Sequence, residues 1–242
     1  MIEAAGLRRQ YGSNVAVDDV SFVARDRSIT GILGPNGAGK TTTLRMLGTL
    51  VRPDRGTASV DGISTANAAG VKARLGILPE AKGLYPRLTA REHLTYFGKL
   101  QRLTGHTLRQ RVDSLIERLG LQAVADRRAA GFSQGERMKV CIARALVHDP
   151  PNVMLDEPTN GLDVMTIRAI RTLLRELRDE GRCVVFSSHV MPEVSALCDR
   201  IVVIARGRVV AEGTPQELCQ LAGEASLEDA FVKLIGTDEG IA

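Results

Sequence analysis

The run Gly34-Pro35-Asn36-Gly37-Ala38-Gly39-Lys40-Thr41 satisfies every fixed position of the pattern G-x-x-x-x-G-K-[ST], and an apolar stretch over residues 29–33 leads directly into it. Those residue types at that spacing hold a triphosphate. A strand feeding a glycine-rich turn that opens a helix aims several backbone N–H groups and the positive helix end at one point, which suits phosphate oxygens. Gly34, Gly37 and Gly39 let the chain curl, while Pro35, Asn36, Ala38 and Thr42 complete the residues expected against the nucleotide. Lys40 is expected to bridge the β- and γ-phosphates, and the Thr41 hydroxyl to ligate the accompanying Mg²⁺.

A second constellation sits far along the chain. Val153-Met154-Leu155-Asp156-Glu157 reads as an apolar strand that delivers two adjacent carboxylates at its end, and Pro158 stops the strand from running on. Neighbouring side chains of an extended segment point apart, so the two acids can serve different purposes. Asp156 is placed to hold Mg²⁺ or its water shell beside Thr41. Glu157 is the candidate general base, taking the proton from a water that attacks the γ-phosphate.

The elements that must position these groups read as an α/β protein. Val15, Val17, Val20, Phe22 and Val23 alternate with polar residues, which predicts a small antiparallel β layer before the core. Leu44, Met46, Leu47 and Leu50 continue a helix after the glycine-rich loop, stopping before Pro53. Strands are expected at 57–60, 75–78, 152–155, 183–186 and 201–204, helices across 89–120 and 164–180. Strands alternating with helices imply a mostly parallel sheet covered on both faces, with active residues at the strand carboxyl ends.

Bulk properties limit the function. The 242 residues with 44% hydrophobic content suffice for one large domain, and 32 basic against 28 acidic residues leave a net charge of +4. That balance argues against nucleic acid as a partner. Cys141, Cys183, Cys198 and Cys219 lack metal-ligand spacing and read as reduced core thiols of a cytosolic protein. His93, His106 and His148 read as surface or packing residues. No apolar stretch reaches the roughly eighteen residues of a membrane span, so the chain is expected neither to cross a membrane nor to be exported.

Phe132-Ser133-Gln134-Gly135-Glu136 stands about twenty residues before Asp156 and just ahead of a helix expected over 137–147. This segment resembles the signature motif of ATP-binding cassette (ABC) ATPases, usually Leu-Ser-Gly-Gly-Gln. The resemblance extends over residues 11–217 and implies ATP and Mg²⁺ as cofactors. It also implies two cassettes stacked head to tail, with Ser133 and the Gly135 N–H of one completing the γ-phosphate site of the other. A second helix N-terminus opposing the first makes physical sense of that arrangement. By the same resemblance Tyr11 stacks on adenine and Asp163, in Asn160-Gly161-Leu162-Asp163, contacts the opposite subunit. His189, following Ser188, hydrogen-bonds the γ-phosphate and orients Glu157. The catalytic set is therefore Glu157, His189 and Lys40.

Two places depart from the family pattern. Leu78-Pro79-Glu80 carries a carboxylate where the family has a glutamine, so Glu80 is expected to meet both Mg²⁺ and nucleotide. Gln134 and Glu136 replace glycine and glutamine, so either the backbone at Gln134 is not left-handed or it carries strain of about 1–2 kcal/mol.

The implied fold is that of a P-loop NTPase: a mostly parallel core sheet flanked by helices, an N-terminal antiparallel β layer and an inserted α-helical subdomain. The whole chain, 1–242, reads as one domain with core portions at about 1–80 and 150–215, a helical subregion at 85–148 and a helical tail at 216–242. Residues 83–92, 135–140 and 226–231 resemble cassettes of ABC-2 type exporters, within them the sodium-extrusion subgroup. That implies a transport ATPase, a homodimer at the cytoplasmic face of the inner membrane, partnered by a separate integral membrane permease subunit. A soluble ABC ATPase acting on ribosomes, nucleic acid or cluster assembly is the alternative. A P-loop kinase is a third class, and would have no use for residues 132–136 or 160–163.

Overall fold

The structure, a computed structural model, describes residues 1–80 and 83–236. A long antiparallel pair opens the chain: β1 (Ile2–Tyr11) lies on β2 (Asn14–Ala24), with Ile2 opposite Ala24 and Tyr11 opposite Asn14. β3 (Ser28–Leu33) then runs into the glycine-rich loop and α1 (Lys40–Leu47). β4 (Arg55–Val60) returns to the other side of β1, and β5 (Ile63–Ser64) extends its edge. Then α2 (Ala68–Arg74) and β6 (Leu75–Leu78) lead to the helices α3 (Ala90–Leu100), α4 (Gly105–Arg118) and α5 (Gln134–Leu146). Strand and helix alternate from there: β7 (Asn152–Asp156), α6 (Val164–Asp179), β8 (Cys183–Ser188), α7 (Met191–Leu197) and β9 (Arg200–Ala205). An edge strand, β10 (Arg208–Gly213), and helices α8 (Pro215–Ala222) and α9 (Leu227–Ile235) follow.

The second sheet has the order β10-β9-β3-β8-β7-β6, parallel throughout except where β10 turns back on β9. Its strands are apolar at nearly every position because both faces are covered. Val184 and Phe186 face one core with α6 and the helical segment, whereas Cys183 and Val185 face the other, under the antiparallel sheet and α1. The same split separates Val153 and Leu155 from Met154. A parallel sheet flanked by helices, with an antiparallel N-terminal layer, is the expected architecture.

Several boundaries differ from the sequence reading, each for a local reason. α1 ends at Leu47 with Gly48 as its cap, so Leu50 lies outside the helix and is exposed. The helical stretch 89–120 is two helices, broken where Arg102 and Gly105 adopt positive φ. α5 begins at Gln134 rather than Arg137, because Ser133 is its N-cap and Glu136 completes a capping box: the Ser133 Oγ accepts the Glu136 N–H at 3.2 Å, and the Glu136 carboxylate accepts the Ser133 N–H at 2.8 Å. α2 and β10 were not anticipated; both are short and weakly patterned in sequence.

Cys141, Cys183 and Cys198 are buried and Cys219 half-buried, none of them in a disulfide, and burial pushes the Cys183 thiol up to about 12. His93 proves to be a packing residue with both ring nitrogens engaged. Its Nδ1–H donates to the Thr89 carbonyl and its Nε2 accepts the Tyr85 N–H, each at 2.8 Å.

Burial holds the His93 imidazole below its ordinary value; the Thr89 carbonyl pulls it back up and the Arg144 charge adds to the fall. Neutral His93 therefore belongs to the folded state, while the unfolded chain takes up the proton below about pH 6.5. The unfolded state then binds more protons, so stability is lost as pH falls through and below that value. The urea midpoint should drop between pH 7 and pH 5, and the slope should shrink in His93→Gln; an unchanged slope would contradict this assignment.

Candidate active site

Pairing register brings the candidate residues to one edge of the parallel sheet. Leu33 at the end of β3 lies beside Ser188 of β8, and Asp156 at the end of β7 lies beside Ser187. The glycine-rich loop, the two carboxylates and His189 thus leave the sheet at the same level. The loop, Glu157 and His189 border a cavity of about 630 Å³ whose walls include Tyr11, Asn36, Gly37, Ala38, Gly39, Lys40, Thr41, Thr42, Glu80, Glu157 and His189, and Asp156 stands behind Thr41.

Two glycines decide whether the loop can take its path. A Cβ at Gly34 would stand 2.2 Å from the Ile204 carbonyl oxygen, and one at Gly39 would stand 2.5 Å from that of Ala16. Gly39 also has a φ of 105°, which L side chains avoid. The Lys40 ammonium is buried beneath the loop and donates to the carbonyls of Gly34 at 2.7 Å and Pro35 at 3.2 Å. Burial lowers its proton affinity, and the charges of Glu157, Asp156 and Glu80 oppose that shift.

Glu157 is the structural centre of the site. Its backbone is left-handed, with φ at 48°, a conformation that costs a non-glycine residue about 1–2 kcal/mol. The turn takes the chain off β7 and is pinned by a 3.0 Å hydrogen bond from the Glu157 N–H to Ser187 Oγ. One carboxylate oxygen then lies 3.8 Å from Lys40 Nζ and the other 3.1 Å from His189 Nδ1. The carboxylate is nearly buried while the imidazole stays half-exposed to the cavity. A nearly buried carboxylate thus stands between an imidazole and a lysine, an arrangement that can accept a proton.

Asp156 occupies the other side of the same strand end. Its Oδ1 accepts from Ser187 Oγ at 2.6 Å and from Thr41 Oγ1 at 3.3 Å. One hydroxyl and one carboxylate oxygen side by side fit Mg²⁺, a hard cation that draws its remaining ligands from phosphate and water. Glu80 borders the cavity as well, and its carboxylate faces Arg45 at 3.8 Å, a partner the sequence reading missed. Arg45 offsets the charge that a carboxylate brings in place of a neutral amide. Asn14, Ala16 and Asn160 also line the cavity without having been anticipated. Tyr11 ends β1 at the cavity wall, with the Arg9 guanidinium 4.9 Å from its ring centroid.

Three expected residues lie elsewhere. Ser133, Gly135 and Asp163 are not part of this cavity's wall but gather with one another. Asp163 caps α6, accepting from the Thr166 N–H at 3.0 Å and its hydroxyl at 2.7 Å, and a Cβ on Gly135 would meet that same hydroxyl at 2.8 Å. Gln134 has ordinary backbone geometry, which removes the strained alternative, and its amide donates to the Asn160 carbonyl at 3.3 Å. Glu136 is held below the usual carboxylate range by the Ser133 N–H and by Arg127. The replaced signature residues therefore make contacts of their own.

Comparisons with known proteins point to one family. A family profile described as ABC transporter matches residues 17–160. The chain is 43% identical to the ABC transporter ATP-binding protein NatA of Bacillus subtilis, covering 90% of this chain and 89% of that one. It is 39% identical to a Nod factor export ATP-binding protein I of Ralstonia nicotianae, over 90% of this chain and 68% of the relative. Among solved structures, an ATP-binding subunit of an ABC transporter superposes with a TM-score of 0.89 at 30% identity, covering 97% of this chain and 99% of that one. A dimeric cassette in a post-hydrolysis state with ADP and Pi gives 0.80 at 26% identity, covering 88% and 98%.

Two substitutions separate the assigned roles. Glu157→Gln should lower nucleotide hydrolysis by at least about a hundredfold while binding stays within a few-fold, as loss of a general base requires. Glu80→Gln should leave turnover within about tenfold, because Arg45 already offsets the carboxylate. Steady-state phosphate release and equilibrium nucleotide binding read both; full activity in the first or complete loss in the second would contradict the assignment.

Proposed function

The chain belongs to the ABC transporter ATP-binding family and is an ATPase, and from that premise we propose that it is the ATP-hydrolysing subunit of a bacterial ABC-2 type exporter. The observation that carries this reading is the division of its functional residues. The groups for binding and cleaving ATP border one cavity, while Ser133, Gly135 and Asp163 are grouped outside it. A second copy in head-to-tail contact would place its own set over the nucleotide, and since one chain carries both halves, a homodimer has two complete sites. The whole chain is read as a single cassette domain.

In each site the loop amides and Lys40 hold the β- and γ-phosphates, and Tyr11 receives the adenine. Thr41 and Asp156, with Glu80 near, would hold Mg²⁺, which would supply positive charge against the phosphates. Glu157 accepts the proton as water attacks the γ-phosphorus and the bond to the ADP oxygen breaks. His189 keeps the carboxylate turned toward the water and donates to a γ-phosphate oxygen. Binding closes the dimer and hydrolysis reopens it, so ATP shifts a two-state equilibrium by its differential affinity.

The exporter assignment rests on names such as Nod factor export and linearmycin resistance among the relatives, the latter 37% identical over 92% of this chain and 72% of its own. It also has a surface to use: Tyr85, Tyr96 and Leu100 are exposed together on and beside α3. Among the described residues no helix is long and apolar enough to cross a membrane, and by this reading the transport path lies in a separate integral membrane permease subunit, as the family resemblance implies. We place the pair at the cytoplasmic face of the inner membrane and carry sodium ion over as cargo from the subgroup resemblance.

Affinity capture from detergent-solubilised native membranes, with Glu157→Gln and MgATP holding the closed state, should recover a polytopic membrane protein. Recovery of ribosomal or other soluble partners alone would overturn the exporter reading and leave the ATPase.

A further inference from the structure

One buried carboxylate has no part in the chemistry above. Glu193 lies in the first turn of α7 and is 4% exposed; Thr159, two residues past Glu157, is 6% exposed. The Thr159 hydroxyl donates a hydrogen bond to the Glu193 carboxylate. We propose that this pair is a positioning strut that sets His189 against Glu157. The inference rests on the roles given to those two residues above.

The argument is one of chain geometry. From Glu157 the backbone runs through Pro158 to Thr159, crosses the hydrogen bond to Glu193, and returns through Pro192, Met191 and Val190 to His189. The 3.1 Å contact between His189 Nδ1 and Glu157 closes the ring. Two more bonds stiffen the return path: the Val190 N–H donates to Ser188 Oγ at 3.0 Å, and the Glu193 N–H to the Val190 carbonyl at 3.1 Å. His189 itself is half-exposed, and its Nδ1 faces the Glu157 carboxylate. Its place is therefore set by what holds the segments on either side, β8 before it and α7 after it. The strut fixes α7 to the loop that carries the base. A hydrogen bond with one charged partner, shielded from water, is strong enough to hold such a register.

The test uses the full chain. Glu193→Ala and Thr159→Val should each lower kcat for ATP about tenfold or more, with KM and equilibrium ATP binding within about twofold, since the phosphate loop is untouched. Glu193→Gln, whose amide oxygen still accepts from Thr159, should keep at least half the original kcat. In a His189→Ala background, Glu193→Ala should change kcat by less than twofold, because the strut acts through the missing ring. A purely structural role would lower the melting temperature and leave kcat per folded molecule unchanged. That result, a failure of Glu193→Gln to rescue, or a multiplicative loss in the His189→Ala background would overturn the proposal. Should Glu193→Ala fail to fold, the volume-conserving Thr159→Val carries the same readouts. Unchanged turnover in His189→Ala would remove the assignment of His189, and the strut with it; lost turnover there with full turnover in Glu193→Ala would overturn the strut alone.

Discussion

Parallel pairing of three adjacent strands is the constraint on which the rest of the site depends. β3 and β8 run in register from Ser28 and Cys183 to Leu33 and Ser188, and β7 joins the same level at Asp156 opposite Ser187. Segments leaving such an edge emerge within a few ångströms of one another although Thr41 and Asp156 are 115 residues apart in sequence and Glu157 and His189 are 32 apart. The loop, the base and the imidazole are neighbours for that reason alone. Both faces of the sheet are buried, so a one-residue slip would exchange two complete cores, and the register is fixed accordingly.

Close packing at this edge is combined with local strain. Gly34 passes a neighbouring carbonyl at a distance that admits no side chain, and Glu157 stays in a left-handed conformation that its N–H bond to Ser187 helps to hold. Ser187 also donates to Asp156, so one buried hydroxyl sets both carboxylates of the strand end. The electrostatics follow from the same compactness. Lys40 is buried among Glu157, Asp156 and Glu80, whose charges offset part of the fall in its proton affinity that burial causes.

The sequence was most legible where a pattern has a single physical solution. An apolar run into G-x-x-x-x-G-K-[ST] can only be strand, turn and helix, and Asp156-Glu157-Pro158 can only end a strand. What escaped it were contacts between elements. Arg45 lies one and a half turns along α1 from the loop, and nothing in its own surroundings announces that it will face Glu80. The left-handed backbone of Glu157 is set by Ser187, a residue of the next strand. Thr159 and Glu193 carry no sequence signal that they will be buried against each other. The early start of α5 is legible in the capping-box spacing of Ser133 and Glu136, which places the first helical residue at Gln134 rather than Arg137.

The central claim is that ATP is bound between this cavity and the signature residues of a second copy. Sedimentation velocity of Glu157→Gln with and without MgATP tests it directly. The account predicts a monomer alone, a dimer with MgATP, and loss of that dimer when Ser133 is replaced by a bulky residue that spares the cavity. A chain that binds ATP and remains monomeric over the micromolar range would contradict it.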